Sequence, residues 1–305
     1  MNRALVLRIL PFILVIAGCS TNPTNPSLAA DYYNVANSYV DLGQYDKAIE
    51  RYQDELRLDP TLAKANYNLA LAYAHLKRTD DAVTILKRLL QNDPENTQFL
   101  STLGWAYHLG GKDEEALAQY SAVLTLSPAD VNALYNSGII LWKMKKESEA
   151  LQKFMSQLAL TPDDTDALYA AGALELSLDN APAASDTLSR YVAKKPGDID
   201  AWYLVAASAE RQQKYERALE AYDTIIAADG KQGDALYGEA RLLLTVVEDP
   251  QRGLDNLTKA LSAGFKDTVA IKALLDSSAL LDRDKVEAIL KTAKLMPEQT
   301  SSAAK

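Results

Sequence analysis

Apolar residues between positions 97 and 130 fall on two stripes with helical spacing. Leu100, Leu103, Gly104 and Tyr107 stand at i, i+3, i+4 and i+7 of a first helix. Gly111 interrupts that pattern. Ala116, Leu117, Tyr120, Val123 and Leu124 form the second stripe, which Pro128 prevents from continuing. The pattern predicts two short antiparallel helices. Gly104 and Ala116 are small because larger side chains there would hold the helix axes too far apart for ridges to enter grooves.

This unit recurs. Pro60, Pro94, Pro128, Pro162 and Pro196 stand 34 residues apart, and Ala48, Ala82, Ala116, Ala150, Ala184 and Ala218 keep the same period. So does a second small position: Ala36, Ala70, Gly104, Gly138, Gly172, Ala206 and Ala240. A fixed period of this length reads as a solenoid of stacked hairpins. The run Tyr32, Val35, Ala36, Tyr39, Ala48, Tyr52 and Pro60, with Gly43 in the turn, resembles the tetratricopeptide repeat. The match recurs at 29–62, 63–96, 97–130, 131–164, 165–198 and 199–232. A seventh unit, 233–267, departs from it: Gly253 and Leu257 reach their places after one extra residue in the 246–252 turn, and Gly230 replaces the proline. The resemblance implies an all-α fold, a helix-turn-helix solenoid wound as a right-handed superhelix.

The ends carry different signals. Residues 268–297 are expected to cap the array, because a last repeat would otherwise expose the apolar face meant for a neighbour. Val286, Ile289, Leu290 and Ala293 give a helix at 285–295 its inner face, and Asp284 with Glu287 fits a capping box. Ile271, Leu274, Leu275, Leu280 and Leu281 are expected to fill the space beneath it. Residues 298–305 read as a disordered tail. At the other end Arg3 and Arg8 precede the apolar run 9–17, which is too short to span a bilayer and predicts a cleaved signal peptide, 1–18. Ile16, Ala17, Gly18 and Cys19 resemble the lipobox of bacterial lipoproteins. That resemblance implies a lipidated Cys19, acylated with palmitate-like chains, followed by a flexible linker to residue 28. With Ser20 rather than aspartate next, it implies the outer membrane, facing the periplasm.

Charge narrows the partners. Of 305 residues 32 are basic and 41 acidic. Loss of residues 1–18 removes Arg3 and Arg8 and no acid, leaving a net charge of −11. Nucleic acid is therefore excluded as an expected partner, and the membrane is expected to be met through the lipid alone. Two histidines, one cysteine and no nucleophile elbow or phosphate loop predict no enzyme, no metal and no cofactor. Asp163, Asp164 and Asp166 lack the glycine and distal glutamate of a calcium loop, and read as helix capping.

Function then rests on the surface that stacking creates. A second stripe on each first helix, one residue from the core stripe, lines the concave groove in the family resembled. Candidate groove residues are Tyr67, Asn68, Leu71, Trp105, His108, Tyr135, Ile139, Trp142 and Tyr169. The tyrosines at the fifth place of each unit also fit ordinary packing between neighbouring first helices. Trp105 and Trp142 lie off the core stripe, whereas Trp202 lies on it. Asn37 and Asn68 match part of a carboxylate clamp, but Tyr33, Gln98 and Thr102 stand where its cations belong, so an apolar or aromatic peptide or an amphipathic helix suits the groove better. Glu175 and the small run Ala170–Ala173 predict looser packing in the fifth unit. The expectation is a lipid-anchored, non-catalytic adaptor for another envelope protein. A ligand-binding periplasmic component of a transport system is the alternative.

Overall fold

A computed structural model describes residues 26–296. Over these the chain is all-helical, with no strand among the described residues. It divides into two compact units, 1–112 and 113–305. The first holds α1 (Pro26–Asp41), α2 (Tyr45–Leu58), α3 (Ala63–His75), α4 (Thr79–Asn92) and α5 (Thr97–Leu109). The second holds α6 (Asp113–Leu126), α7 (Val131–Lys143), α8 (Glu147–Leu160), α9 (Thr165–Ser177), α10 (Ala181–Lys194), α11 (Ile199–Arg211) and α12 (Tyr215–Ala228). It continues with α13 (Gly233–Thr245), α14 (Pro250–Ser262), α15 (Thr268–Asp276) and α16 (Arg283–Thr292). None of these helices is long and apolar enough to cross a membrane. The expected signal peptide, 1–18, Cys19 and the expected tail, 298–305, lie outside the described residues. Of the expected linker, 19–28, only its last three residues are described, and these are helical, since α1 begins at Pro26. Proline is tolerated at a first helical position because its missing N–H has no intrahelical partner there.

The turn chemistry repeats as strictly as the prolines. Gly43, Lys77, Gly111, Lys145, Asp179 and Gln213, 34 residues apart, all have positive φ. Each ends a first helix in a left-handed residue, and the next N–H reaches back five residues: Lys146 N donates to Leu141 O at 2.9 Å, as Arg78 N does to Tyr73 O. The seventh unit breaks step by one, with its left-handed residue at Glu248, which places the extra residue in the α13–α14 turn. At the other turn Asn96, Asp130, Asp164 and Asp198 cap α5, α7, α9 and α11 by accepting a backbone N–H three residues on. The acidic group at 163–166 thus supplies a cap through Asp164.

The periodic small residues sit where helices approach most closely. Ala48, Ala82, Ala116, Ala150, Ala184 and Ala218 are fully buried. A Cβ built on Gly138 would lie 2.7 Å from Phe154 Cζ, and one on Gly172 2.6 Å from Leu188 Cγ. Looser packing is not what the fifth unit shows. Leu168, Ala171 and Leu174 of α9 are wholly buried, because its small residues let α10 come closer rather than leaving a gap. Glu175 is buried too, and burial raises its carboxyl above the ordinary range.

In the cap, Ile271, Leu274, Val286 and Leu290 join Leu236, Ala240, Leu254 and Leu257 of the seventh unit in one core, with Leu280 packed against it. Leu281 N donates to Leu244 O, which ties the loop to α13. The capping box does not form. Asp282 precedes α16 in a left-handed conformation with φ 49° and makes no side-chain cap, and Asp284 is already helical. An N-cap residue that reaches the free N–H groups typically has negative φ and an extended backbone. Asp282 instead accepts from Lys285 Nζ at 2.7 Å.

Candidate functional site

In the first unit α3 carries Tyr67, Asn68 and Leu71, and α5 carries Trp105 and His108; all five are half-buried. Helical spacing puts each set on one side of its helix. Tyr67 packs at 5.5 Å between ring centroids on Phe99, and its hydroxyl lies 3.0 Å from Thr102 Oγ1. Asn68 Nδ2 donates to Tyr33 Oη at 3.1 Å and to Asn37 Oδ1 at 3.3 Å, while Tyr52 Oη donates to the same Asn37 oxygen at 2.6 Å. The two asparagines are thus engaged with tyrosines, which supports the reading against a carboxylate clamp. Lys64 Nζ stands 4.6 Å from the Tyr33 ring centroid. Burial pushes the Tyr33 hydroxyl up, but Lys64, Asn37 and Asn68 outweigh it and hold it below its ordinary value. Burial pushes Tyr52 up to about 12. A recess of about 370 Å³ is lined by Lys64, Tyr67, Asn68, Asn96, Gln98 and Phe99. Trp105 meets His75 edge-on at 5.0 Å, and His75 stacks on Tyr45 at 4.5 Å. That three-ring ladder was missed in the sequence because Tyr45, His75 and Trp105 come from three different helices.

In the second unit Tyr135, Ile139 and Trp142 of α7 and Tyr169 of α9 are likewise half-buried, and here they do converge. With Ala170, Tyr191, Asp166, Asp198 and Asp200 they line a recess of about 280 Å³. Tyr135 packs edge-on against Phe154 at 5.9 Å and Tyr169 against Tyr191 at 5.4 Å. The fifth-place tyrosines therefore serve packing on one face and line the recess with the other. Tyr191 Oη donates to Asp198 Oδ2 at 2.6 Å. Burial, then the neighbouring carboxylates, raises the hydroxyls of Tyr135 and Tyr169 and pushes Tyr191 up to about 12. Asp166, Asp198 and Asp200 were not among the candidates. The signal for Asp166 and Asp200 was an aspartate recurring at the second place of three successive units, Asp166, Asp200 and Asp234. Trp202 has a structural role, as its place on the core stripe implied: its Nε1 donates to Pro196 O at 2.8 Å and Arg217 covers its ring. Further along, the same stripe is occupied internally, where Glu210 accepts from Tyr222 Oη at 2.8 Å and pairs with Arg241. No group of three or more His, Cys, Asp or Glu that could hold a metal ion occurs among the described residues.

A family model described as the tetratricopeptide repeat matches residues 33–97 and 200–245, and one described as the TPR repeat matches 104–145. Together they take in about half of the chain. The chain is a tetratricopeptide repeat protein. Solved structures agree on the fold. The C-terminal part of a TPR repeat-containing protein from Cytophaga hutchinsonii aligns with TM-score 0.67 and 17% identity, over 79% of this chain and 99% of that one. A tetratricopeptide repeat protein from Parabacteroides merdae aligns with TM-score 0.54 and 18% identity, over 86% and 99%. YrrB, described as a TPR protein with an unusual peptide-binding site, aligns with TM-score 0.57 and 20% identity, over 62% and 96%. Among curated proteins none matches the chain. TPR proteins are generally non-enzymatic scaffolds that bind peptides or other proteins, and no catalytic family is indicated here. Nothing in these comparisons supports the transport-ligand alternative.

Proposed function

We propose that this TPR protein is a lipid-anchored adaptor of a bacterial envelope, which grips a peptide or helix of another envelope protein on the aromatic faces of its first helices. The observation that carries the reading is the half-buried aromatic stripe. Tyr67 and Trp105 in the first unit, and Tyr135, Trp142 and Tyr169 in the second, each keep part of their surface in water after packing is complete. Aromatic side chains held rigid in this way and rimmed by polar groups supply most of the energy of typical interfaces. Arg3, Arg8, the apolar 9–17 run and Cys19 support the anchor. One acyl chain binds a membrane marginally and two or three hold it stably.

The test is crosslinking in cells of the lipidated protein beside a Trp105→Ala, Trp142→Ala double variant. One envelope protein recovered by the parent and lost by the variant, with the variant still helical and folded at the crosslinking temperature, is the expected result. Equal recovery by both would move the interface off these faces. Metabolic labelling with a fatty acid, absent in Cys19→Ser, tests the anchor separately.

A further inference from the structure

The recess between α7, α9 and α11 combines aromatic walls with carboxylates that the fold leaves uncompensated. Elsewhere, acids pair across neighbouring hairpins with a basic residue 29 to 32 positions on: Asp80 with Lys112, Asp113 with Lys143, Asp163 with Lys194, Asp179 with Arg211, Asp223 with Arg252. Asp166 and Asp200 are exposed, line the recess, and among the described residues pair with no basic side chain. Their neighbour Asp198 is engaged, capping α11 and accepting from Tyr191.

The repeat register shows what belongs there. Tyr135 and Tyr169 stand 31 residues before Asp166 and Asp200, and each tyrosine hydroxyl senses the carboxylate of its partner. The equivalent pair in the first unit is Tyr33 and Lys64, and there the ammonium sits 4.6 Å over the ring. The same site in the second unit keeps the ring, reverses the charge of its neighbour, and lacks the cation. A cation over a tyrosine or tryptophan face is attracted by the ring quadrupole, and a carboxylate beside the ring strengthens that attraction.

We infer that this recess takes the Lys or Arg side chains of an extended peptide segment of a partner protein, held over Tyr135, Trp142 and Tyr169 by Asp166 and Asp200. The inference rests on the adaptor reading and gives the partner its chemistry: a basic segment with apolar residues between its charges, the latter meeting Ile139 and Ala170.

The test uses the full chain and two dye-labelled twelve-residue peptides, one alternating Lys with Leu and Ala and one with Gln in place of every Lys, read by fluorescence anisotropy. The lysine peptide is expected to bind at least about tenfold more tightly at low salt, with the difference shrinking as salt screens the carboxylates. Asp166→Asn with Asp200→Asn is expected to remove most of that tenfold, about 1.4 kcal/mol, while leaving the melting temperature and the glutamine-peptide affinity unchanged. Equal binding of the two peptides, or an unaffected double variant, overturns the cationic partner and leaves the adaptor reading standing. Binding of neither peptide at millimolar concentration overturns the cationic segment as occupant, and the adaptor reading is then decided by the crosslinking of the Trp105→Ala, Trp142→Ala variant alone. Full competition by spermidine at the peptide's own concentration would overturn the peptide as occupant, since charge without backbone would then suffice.

Discussion

Glu239 lies at a core place of α13 that Leu103, Ser137, Ala171 and Val205 fill in earlier repeats, and it is 1% exposed. Arg252 of α14 pairs with it and with Asp223. Burial, followed by the Asp223 carboxylate, pushes its carboxyl from an ordinary 4.5 up to about 7, and Arg252 offsets only part of that. A carboxyl whose folded-state value is raised binds its proton more tightly in the fold. Its contribution is fully present below pH 4.5 and is lost as pH rises through about 7. At about 1.4 kcal/mol per pH unit, the gap corresponds to about 3 kcal/mol. Glu239→Gln keeps an oxygen for Arg252 and removes the titration. In urea denaturation between pH 4.5 and 8, with amide exchange in α13 and α14 as the local readout, the parent should lose about 3 kcal/mol more than the variant. Profiles that run parallel, or a parent that gains stability on the alkaline side, would refute this, because Arg252 would then be holding the carboxylate charged at every pH.

Three further outcomes are expected. Lys145→Gly should stabilise the fold by about 1 kcal/mol, since Lys145 has φ 63° and a left-handed residue with a Cβ carries that cost; an unchanged or lower melting temperature would contradict it. Gly138→Ala should destabilise by about 1–2 kcal/mol although alanine is the better helix former, because the new Cβ meets the buried Phe154 ring at 2.7 Å. Adding Phe154→Leu should recover part of that loss, and a single variant as stable as the parent would show that the hairpin yields freely. Amide protection in α9 should equal that in α7 and α11, and markedly faster exchange in α9 would restore the looser fifth unit that the sequence suggested.

Much of the fold was legible because each repeat writes the same local rules. The proline period set the hairpins, the fully buried alanines marked the helix contacts, and the extra residue of the seventh unit appeared where the pattern slipped. What misled was local in another sense. Asp284 and Glu287 have capping-box spacing, but the loop that Leu281 pins to Leu244 delivers Asp282 to α16 in a left-handed conformation, and its side chain makes no cap. The small residues of α9 look like missing core until Leu188 is seen to fill the space they leave.

The candidate surface divides the same way. Sequence periodicity picked the stripe of Tyr67, Trp105, Tyr135, Trp142 and Tyr169, because helical spacing decides which residues share a face. It could not show that Trp105 joins a ladder with His75 and Tyr45, or that Tyr135, Trp142 and Tyr169 share one recess with Asp166 and Asp200. Nor could it tell a paired acid from an unpaired one, since partners about 30 residues apart meet only when hairpins stack. The sequence by itself determined the repeat, its register and its inward faces, which follow from spacing along one helix or one turn. The tertiary structure decided which charges are neutralised and which rings share a pocket, because those depend on distances between helices that no local pattern records.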